Sequence, residues 1–92
     1  MNEQIIEEKA IIKGLVQGVG MRATARHYAQ KFGIKGNVRN LADGSVEIHA
    51  QGNKHAVDKF FDTLLDHFGD YVQGLERASV EVQTHDDFHI NR

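Results

Sequence analysis

Two glycines and an arginine stand close together near the start of the chain, in an order that suits anion binding. Gly18 and Gly20 allow backbone conformations that turn several N–H groups inward, which makes a concave nest for negative charge. A helical pattern follows directly, so the free N–H groups and dipole of a helix N-terminus add to this preference. Arg22 falls in the first helical turn, where the dipole slightly opposes a cation but a guanidinium fork matches phosphate oxygens. The spacing therefore predicts a phosphate site.

Asn40 is the second candidate, and the predicted order of elements brings it to the same place. It ends a short strand in which Ile34 and Val38 share its parity, so its amide is expected to point toward the helices. The strands before and after the first helix run parallel, because a helical crossover joins them. Their C-terminal ends then lie at one edge of the sheet, where Asn40 meets the glycine loop. The chain has no Asp or Glu between Lys9 and Asp43, so no acidic side chain there repels a phosphate.

Apolar periodicity and the glycines predict the elements that position these residues. Helical spacing marks two helices, which end at Gly33 and Gly69, and Asn53 is a suitable N-cap for the second. Asp43-Gly44 predicts a hairpin turn between two strands. The predicted elements are a strand at residues 9–13, a loop at 15–20, a helix at 21–32, strands at 34–40 and 45–51, a helix at 54–68, and strands at 78–83 and 88–91.

This order is β-α-β-β-α-β with a small final strand, which is the ferredoxin-like split βαβ arrangement. We expect an α+β sandwich, with an antiparallel sheet of four to five strands covered on one face by two helices. On the third strand, apolar Val46, Ile48 and Ala50 alternate with polar Ser45, Glu47, His49 and Gln51, which predicts a sheet with one wet face. The fold hosts many unrelated activities, so the function has to be inferred from the site.

Composition limits the classes of protein that fit. The chain has 92 residues and 40% hydrophobic residues, which predicts one domain over residues 1–92. It has no cysteine, and its net charge of -2 gives no electrostatic footprint for nucleic acid or an anionic membrane. The polar, acidic start lacks the features of a secretory signal, and no apolar run approaches a membrane span. We therefore expect a cytoplasmic protein, and a monomer because no large apolar face is left over.

Two stretches of the chain resemble the signatures of the acylphosphatase family. The first is Gly14-Leu15-Val16-Gln17-Gly18-Val19-Gly20-Met21-Arg22, and the second is Gly36-Asn37-Val38-Arg39-Asn40 followed by Gly44, Val46 and Gly52. The resemblance runs from the first strand through the third without a gap, and the remaining elements fit the family's length and order. It implies an enzyme that hydrolyses the carboxyl–phosphate bond of small acyl phosphates without a cofactor or a metal.

The resemblance also implies a role for each signature residue. Arg22 and the first loop would bind the phosphoryl group, and Asn40 would position the attacking water. The implied substrate-binding residues of that loop are Val16, Gln17, Gly18, Val19, Gly20 and Met21. An acyl phosphate releases a carboxylate that is stable near neutral pH, so positioning and charge stabilisation carry most of the rate. The phosphate itself can take the proton of the water, which accounts for signatures without a catalytic carboxylate or histidine.

Three positions depart from the family pattern. Met21 stands where phenylalanine is usual, but it is apolar and its spacing places it toward the core. Asn37 replaces a usual aromatic residue, and its parity places it on the face opposite Asn40. After the second helix the family often has Gly-Pro, where this chain has Gly69-Asp70-Tyr71. We expect the first two differences to affect packing or the surface rather than the chemistry.

Other interpretations of the sequence fit its pattern less well or stay open. Residues 18–23 fit a dinucleotide-binding G-x-G-x-x-A pattern, but the second strand ends in Asn40 instead of an acidic residue and leads into a hairpin. An RNA-binding sheet would expose aromatic residues on its central strands, and the predicted outward positions have none. A catalytically silent acylphosphatase-like module, which binds an anion or regulates a partner, stays open as the alternative.

The histidines do not form a predicted metal site. His85 and His89 have an H-x-x-x-H spacing, but they are predicted to span a loop and a strand instead of one helical face. The remaining histidines, which show no partner at ligand spacing and are expected at the surface, are His27, His49, His55 and His67.

Overall fold

The computed structural model describes residues 4–91, and its elements follow the predicted β-α-β-β-α-β order with a short final strand. The ferredoxin-like α+β prediction is therefore confirmed. The elements are β1 (Ile5–Gly14), α1 (Met21–Phe32), β2 (Lys35–Asn40), β3 (Val46–Asn53), α2 (Lys54–Phe68), a short 3₁₀ turn (Gly69–Tyr71), β4 (Val72–Val80) and β5 (Phe88–Ile90).

The five strands form one sheet in the order β4-β1-β3-β2-β5. β3 lies between β1 and β2 and is antiparallel to both, so β1 and β2 are parallel and end at the same edge of the sheet. β4 is antiparallel to β1 at one side of the sheet. β5 pairs with β2 in the parallel direction, so the expectation of an antiparallel sheet is wrong for this outer strand.

The direction of β5 follows from the path of the preceding segment, residues 81–87, which we call the strap. β4 ends beside Glu7, close to where β1 begins. From there the strap crosses the face of the sheet that the helices leave open, and Gln83 and His85 contact Glu7 on the way. It delivers the chain to the edge where β2 begins, and β5 starts beside Gly36. From that position β5 can only continue parallel to β2.

The core lies between the other face of the sheet and the two helices. Asn53 caps α2 as predicted, because its side-chain oxygen accepts a hydrogen bond from the Ala56 N–H at 2.8 Å. Gly33 ends α1 in the left-handed conformation, with φ 69°. The core residues of the sheet are Ala10, Ile12, Val38, Val46, Ile48, Ala50 and Phe88, and those of the helices are Met21, Ala25, Ala29, Val57, Phe60, Phe61, Leu64 and Phe68.

The open face of the sheet is drier than predicted. Glu47 and Gln51 of β3 were expected in water but are each only 8% exposed. Glu47 accepts a hydrogen bond from the Arg39 guanidinium at 3.0 Å, which compensates its burial. The strap and neighbouring strands cover this face, so strict alternation of apolar and polar residues does not produce a wet surface here.

Two strands also differ from their predicted bounds. β1 begins at Ile5 rather than at Lys9. Glu7 and Glu8 obscure the apolar alternation at its start, but the sheet accommodates them, and Glu8 accepts a hydrogen bond from Arg77 of β4. β4 spans Val72–Val80, whereas residues 78–83 were predicted. Val82 therefore lies in the strap, where it is 49% exposed. Apolar alternation alone placed this strand too late because no residue of β4 is fully buried.

Glu7 is the most buried acidic side chain in the described part of the protein, with none of its side chain exposed. Its Oε1 accepts hydrogen bonds from the Gln83 backbone N–H at 3.0 Å, from Gln51 Nε2 at 3.1 Å and from His85 Nε2 at 3.1 Å. His49 Nδ1 donates to Oε2 at 3.2 Å, so His49, which was expected at the surface, is half-buried. Burial raises the pKa of Glu7, but these hydrogen bonds and the nearby His85 outweigh it and hold the pKa below its ordinary value.

Candidate functional site

The loop between β1 and α1 has the backbone geometry that the two glycines predict. Gly18 and Gly20 adopt left-handed conformations with φ 78° and 81°, which other residues reach only with strain. Gly20 is also the N-cap of α1, and no side chain of residues 4–91 caps this helix end. The first turn of α1 holds no acidic residue. Its free N–H groups are therefore available to an anion.

This loop opens onto a cavity of about 200 Å³ at the edge of the sheet where β1 and β2 end. Arg22 and Asn40, which the sequence analysis singled out, both line it. They meet there because β1 and β2 are parallel and separated only by β3. The complete lining is Val16, Gly18, Gly20, Met21, Arg22, Ala23, Asn40 and Ile90.

Arg22 and Asn40 are half-buried and have no competing partner among residues 4–91. Neither side chain forms a hydrogen bond or an ion pair within that part of the chain. In contrast, Arg39 pairs with Glu47 at 3.0 Å and Arg77 pairs with Glu8 at 2.7 Å. The guanidinium of Arg22 is thus free to hold a ligand, and the amide of Asn40 is free to orient one.

Gln17 has a position that the sequence analysis did not foresee. Its side chain is not part of the cavity lining, because Gln17 Nε2 donates to the Leu41 carbonyl at 2.8 Å and to the Ser45 carbonyl at 2.9 Å. These two bonds tie the glycine loop to the turn that directly follows Asn40. The amide therefore fixes the distance between the anion-binding loop and β2. Val19, the other implied substrate-binding residue outside the lining, is half-buried and packs against the core.

The turn that receives Gln17 is itself held by Asp43. The Asp43 carboxylate accepts hydrogen bonds from the Ser45 backbone N–H at 2.9 Å and from Ser45 Oγ at 2.5 Å. These bonds hold the pKa of Asp43 below its ordinary value, the Ser45 hydroxyl being the larger cause. The Leu41 N–H in turn donates to the Ser45 carbonyl at 2.9 Å. The predicted hairpin turn is thus held so that the carbonyls of Leu41 and Ser45 both accept hydrogen bonds from the Gln17 amide.

Ala23 and Ile90 complete the cavity and were not predicted to belong to it. Ala23 is small and follows Arg22 in the first turn of α1, so its position could have been read from the helix. Ile90 reaches the site only because β5 lies beside β2, where the Asn91 N–H donates to the Val38 carbonyl at 2.9 Å. Its alternation with Phe88 indicated which face it occupies. Nothing in the sequence indicated which strand it would pair with.

His85 and His89 do not line this cavity. His85 contacts Glu7 on the open face, and His89 Nδ1 lies 3.4 Å from Asp87 Oδ1. Among the residues described, no three side chains of the metal-ligating types are grouped so that they could hold a metal ion. In the same part of the chain, no helix has the length and apolar character needed to cross a membrane.

Comparison with known proteins assigns the chain to a family. The model of the acylphosphatase family matches residues 8–90. An acylphosphatase from Acaryochloris marina is 50% identical over 82 residues, which are 89% of this chain and 84% of that protein. The match to an acylphosphatase of Listeria monocytogenes serotype 4b is 51% identical but covers only 53 residues, 58% of this chain and 57% of that protein.

The fold agrees with the same assignment. The crystal structure of acylphosphatase from Bacillus subtilis superposes with a TM-score of 0.88 at 29% identity, over 95% of this chain and 99% of that one. The matched region contains both glycine-rich stretches and every residue that lines the cavity. The chain therefore belongs to the acylphosphatase family.

Proposed function

We propose that this protein hydrolyses acyl phosphates to a carboxylate and inorganic phosphate. The observation that carries the proposal is the meeting of three ligand-binding features around one cavity: the open N–H groups of the glycine loop, Arg22 and Asn40. Membership of the family supports the same activity. All of these groups come from one chain, so we propose a site that is complete in a single copy.

In the proposed mechanism, the loop N–H groups and the Arg22 guanidinium hold the phosphoryl oxygens. The Asn40 side-chain oxygen accepts a hydrogen bond from a water and aligns it for in-line attack at phosphorus. The bond from phosphorus to the acyl oxygen breaks, its electron pair leaves with the carboxylate, and a phosphoryl oxygen takes the proton of the water. Electrostatic stabilisation and positioning supply the rate, which is the usual division of work in phosphoryl transfer.

Two variants separate the proposed roles. Arg22→Ala is expected to lose phosphate binding and turnover together, because the charge that Arg22 faces is present throughout the reaction. Asn40→Ala is expected to keep phosphate binding within a few-fold and to lose about two to three orders of magnitude in kcat, the scale for one preorganised polar group. The measurements are kcat with benzoyl phosphate and the inhibition constant of inorganic phosphate.

Matched controls lie on the opposite face of the sheet. Arg39→Ala removes an exposed arginine and with it one hydrogen bond to Glu47, so it is expected to lower stability. Asn37→Ala removes a half-buried amide of the same strand. Because neither side chain lines the cavity, both variants are expected to keep kcat within about twofold. A folded Asn40→Ala enzyme with normal kcat would remove the water-positioning role. A folded Arg22→Ala enzyme that binds phosphate normally would move the site away from the loop.

The proposed chemistry needs no metal, so activity is expected to survive exhaustive chelation with EDTA. Inorganic phosphate and sulfate are expected to compete with the substrate, because both fit the same nest of N–H groups. Loss of activity in EDTA with recovery on adding a divalent metal would refute this mechanism. Phosphate binding without any hydrolysis of benzoyl phosphate would instead indicate the silent anion-binding module.

A further inference from the structure

A second cavity continues from the candidate active site along α1. It also measures about 200 Å³ and is lined by Ala23, Arg26, His27, Gln30 and Ile90. Ala23 and Ile90 line the first cavity as well, so the two share a wall. A group that extends from a phosphate held beside Arg22 can therefore pass over these two apolar side chains into the second cavity.

Arg26 dominates the charge of this second cavity. No acidic residue lines it. Arg26 is exposed and forms no ion pair or hydrogen bond with any of residues 4–91, although Arg39 and Arg77 both have carboxylate partners. Two arginines four residues apart on one helix also repel each other slightly in the free protein. The guanidinium of Arg26 is therefore free to meet a ligand that enters the second cavity.

The spacing between the two arginines defines the ligand. Residues four apart lie on one face of a helix, about one turn of 5.4 Å from each other. Since Arg22 is assigned to the phosphate, Arg26 would meet a group about one turn further along the acyl chain. The intervening wall of Ala23 and Ile90 is apolar, which suits methylene carbons. A short dicarboxylic acyl phosphate fits this arrangement. Its phosphate lies at Arg22, its methylene carbons lie against the apolar wall, and its distal carboxylate lies at Arg26.

We propose that Arg26 determines substrate specificity, and that it favours acyl phosphates whose short acyl chain carries a second negative charge. This inference rests on the proposed hydrolysis at Arg22 and Asn40, and it extends that function by naming a class of substrate. Arg26 binds the distal carboxylate, and Gln30 and His27 lie beside it to offer further hydrogen bonds. Because the distal carboxylate does not take part in bond breaking, Arg26 acts mainly on KM.

The test compares succinyl phosphate with butyryl phosphate, which has the same chain length but no distal charge. The wild-type protein is expected to show a higher kcat/KM for succinyl phosphate. Arg26→Gln is expected to lower kcat/KM for succinyl phosphate about fivefold, the upper range for one exposed ion pair, through KM. Its kcat/KM for butyryl phosphate is expected to stay within about twofold. Salt at about 0.5 M is expected to shrink the succinyl preference of the wild type.

Lys31→Gln is the matched control, because Lys31 carries an exposed positive charge on the same helix but lines neither cavity. It is expected to leave the ratio of the two substrates unchanged. The inference would be overturned if the ratio of kcat/KM for succinyl phosphate to that for butyryl phosphate were the same in the wild type and Arg26→Gln. It would also be overturned if Lys31→Gln lowered this ratio as much as Arg26→Gln does, because the preference would then come from the net positive charge of the helix. Failure of the wild type to hydrolyse either substrate would refute the proposed function itself, which keeps the two failures distinct.

Discussion

Replacing Glu7 with glutamine removes the negative charge at the centre of the strap contacts while it keeps the shape of the side chain. Glutamine retains one acceptor oxygen. Its amide nitrogen, however, would face the ring nitrogen of His49 or His85, which in the wild type donates a hydrogen bond to the carboxylate. A hydrogen bond to a charged group contributes about 1.5–3 kcal/mol, and this carboxylate has no exposed surface. We therefore expect Glu7→Gln to lower the free energy of unfolding by about 2 kcal/mol at pH 7.

In a domain of this size, a change of about 1 kcal/mol moves the melting temperature by about 4–8 °C. The expected result is therefore a fall of about 10 °C, measured by circular dichroism or calorimetry. Turnover is expected to change little. β1 rises about 3.3 Å per residue, so Glu7 lies roughly 20 Å from the glycine loop, and it lies on the opposite face of the sheet.

The pH dependence gives a sharper test, and its sign follows from the lowered pKa of Glu7. A carboxylate whose pKa is lower in the folded state stabilises the protein above its unfolded pKa of about 4.3. That contribution is lost as the pH falls through the folded pKa. The gap in melting temperature between wild type and Glu7→Gln is therefore expected to persist above pH 5 and to close at lower pH.

Glu76→Gln serves as the control, because Glu76 is exposed on the neighbouring strand β4. It is expected to change the free energy of unfolding by no more than about 0.5 kcal/mol at any pH. The reasoning is refuted if Glu7→Gln melts within about 2 °C of the wild type at pH 7. A gap that stays the same down to pH 3 would also refute it, since the charge would then have no part in the effect.

Three further predictions concern the loop and the helix ends. Gln17→Ala is expected to lower kcat about tenfold with a stability loss of only about 1 kcal/mol, because the loop and β2 lose their fixed distance; normal kcat would remove the tethering role. Gly20→Ala and Gly33→Ala place the same strain on left-handed residues with open surroundings, so both should cost about 1 kcal/mol. Of the two variants, only Gly20→Ala should raise the inhibition constant of phosphate. If both variants had the same inhibition constant, the anion would not bind at the glycine loop. Asn53→Ala should cost about 1 kcal/mol in thermal unfolding with unchanged kcat, and no loss would show that the cap is redundant.

The order of the elements and the convergence of the site could be predicted because they depend on local patterns. Apolar spacing and glycine punctuation marked both helices and the hairpin, and a helical crossover has one handedness. These rules suffice to bring Arg22 and Asn40 to one edge of the sheet. The roles of these two residues in catalysis remain predictions, since geometry alone does not test a rate.

The features that could not be predicted depend on partners distant in the sequence. Glu7 looks like a surface residue in any local window, and only the strap, which joins it to His85 across the sheet, explains its burial. Gln17 lies in the loop that was predicted to bind the substrate, but its amide donates hydrogen bonds to two backbone carbonyls in the turn after β2. Hydrogen bonds between polar groups far apart in the chain produce no periodic pattern in the sequence, so they cannot be predicted from such patterns.

The strand order β4-β1-β3-β2-β5 also bears on how fast the native state is reached. Among the described strands, only β2 and β3 are neighbours both in the sheet and along the chain. Every other pairing must close a long loop before any hydrogen bond repays the lost entropy. Mixed α and β domains with such non-local pairings fold more slowly than helical bundles of similar size. The hairpin of β2 and β3 can form early on its own, but the wall that Ile90 supplies to the cavity requires the long-range pairing of β5 with β2.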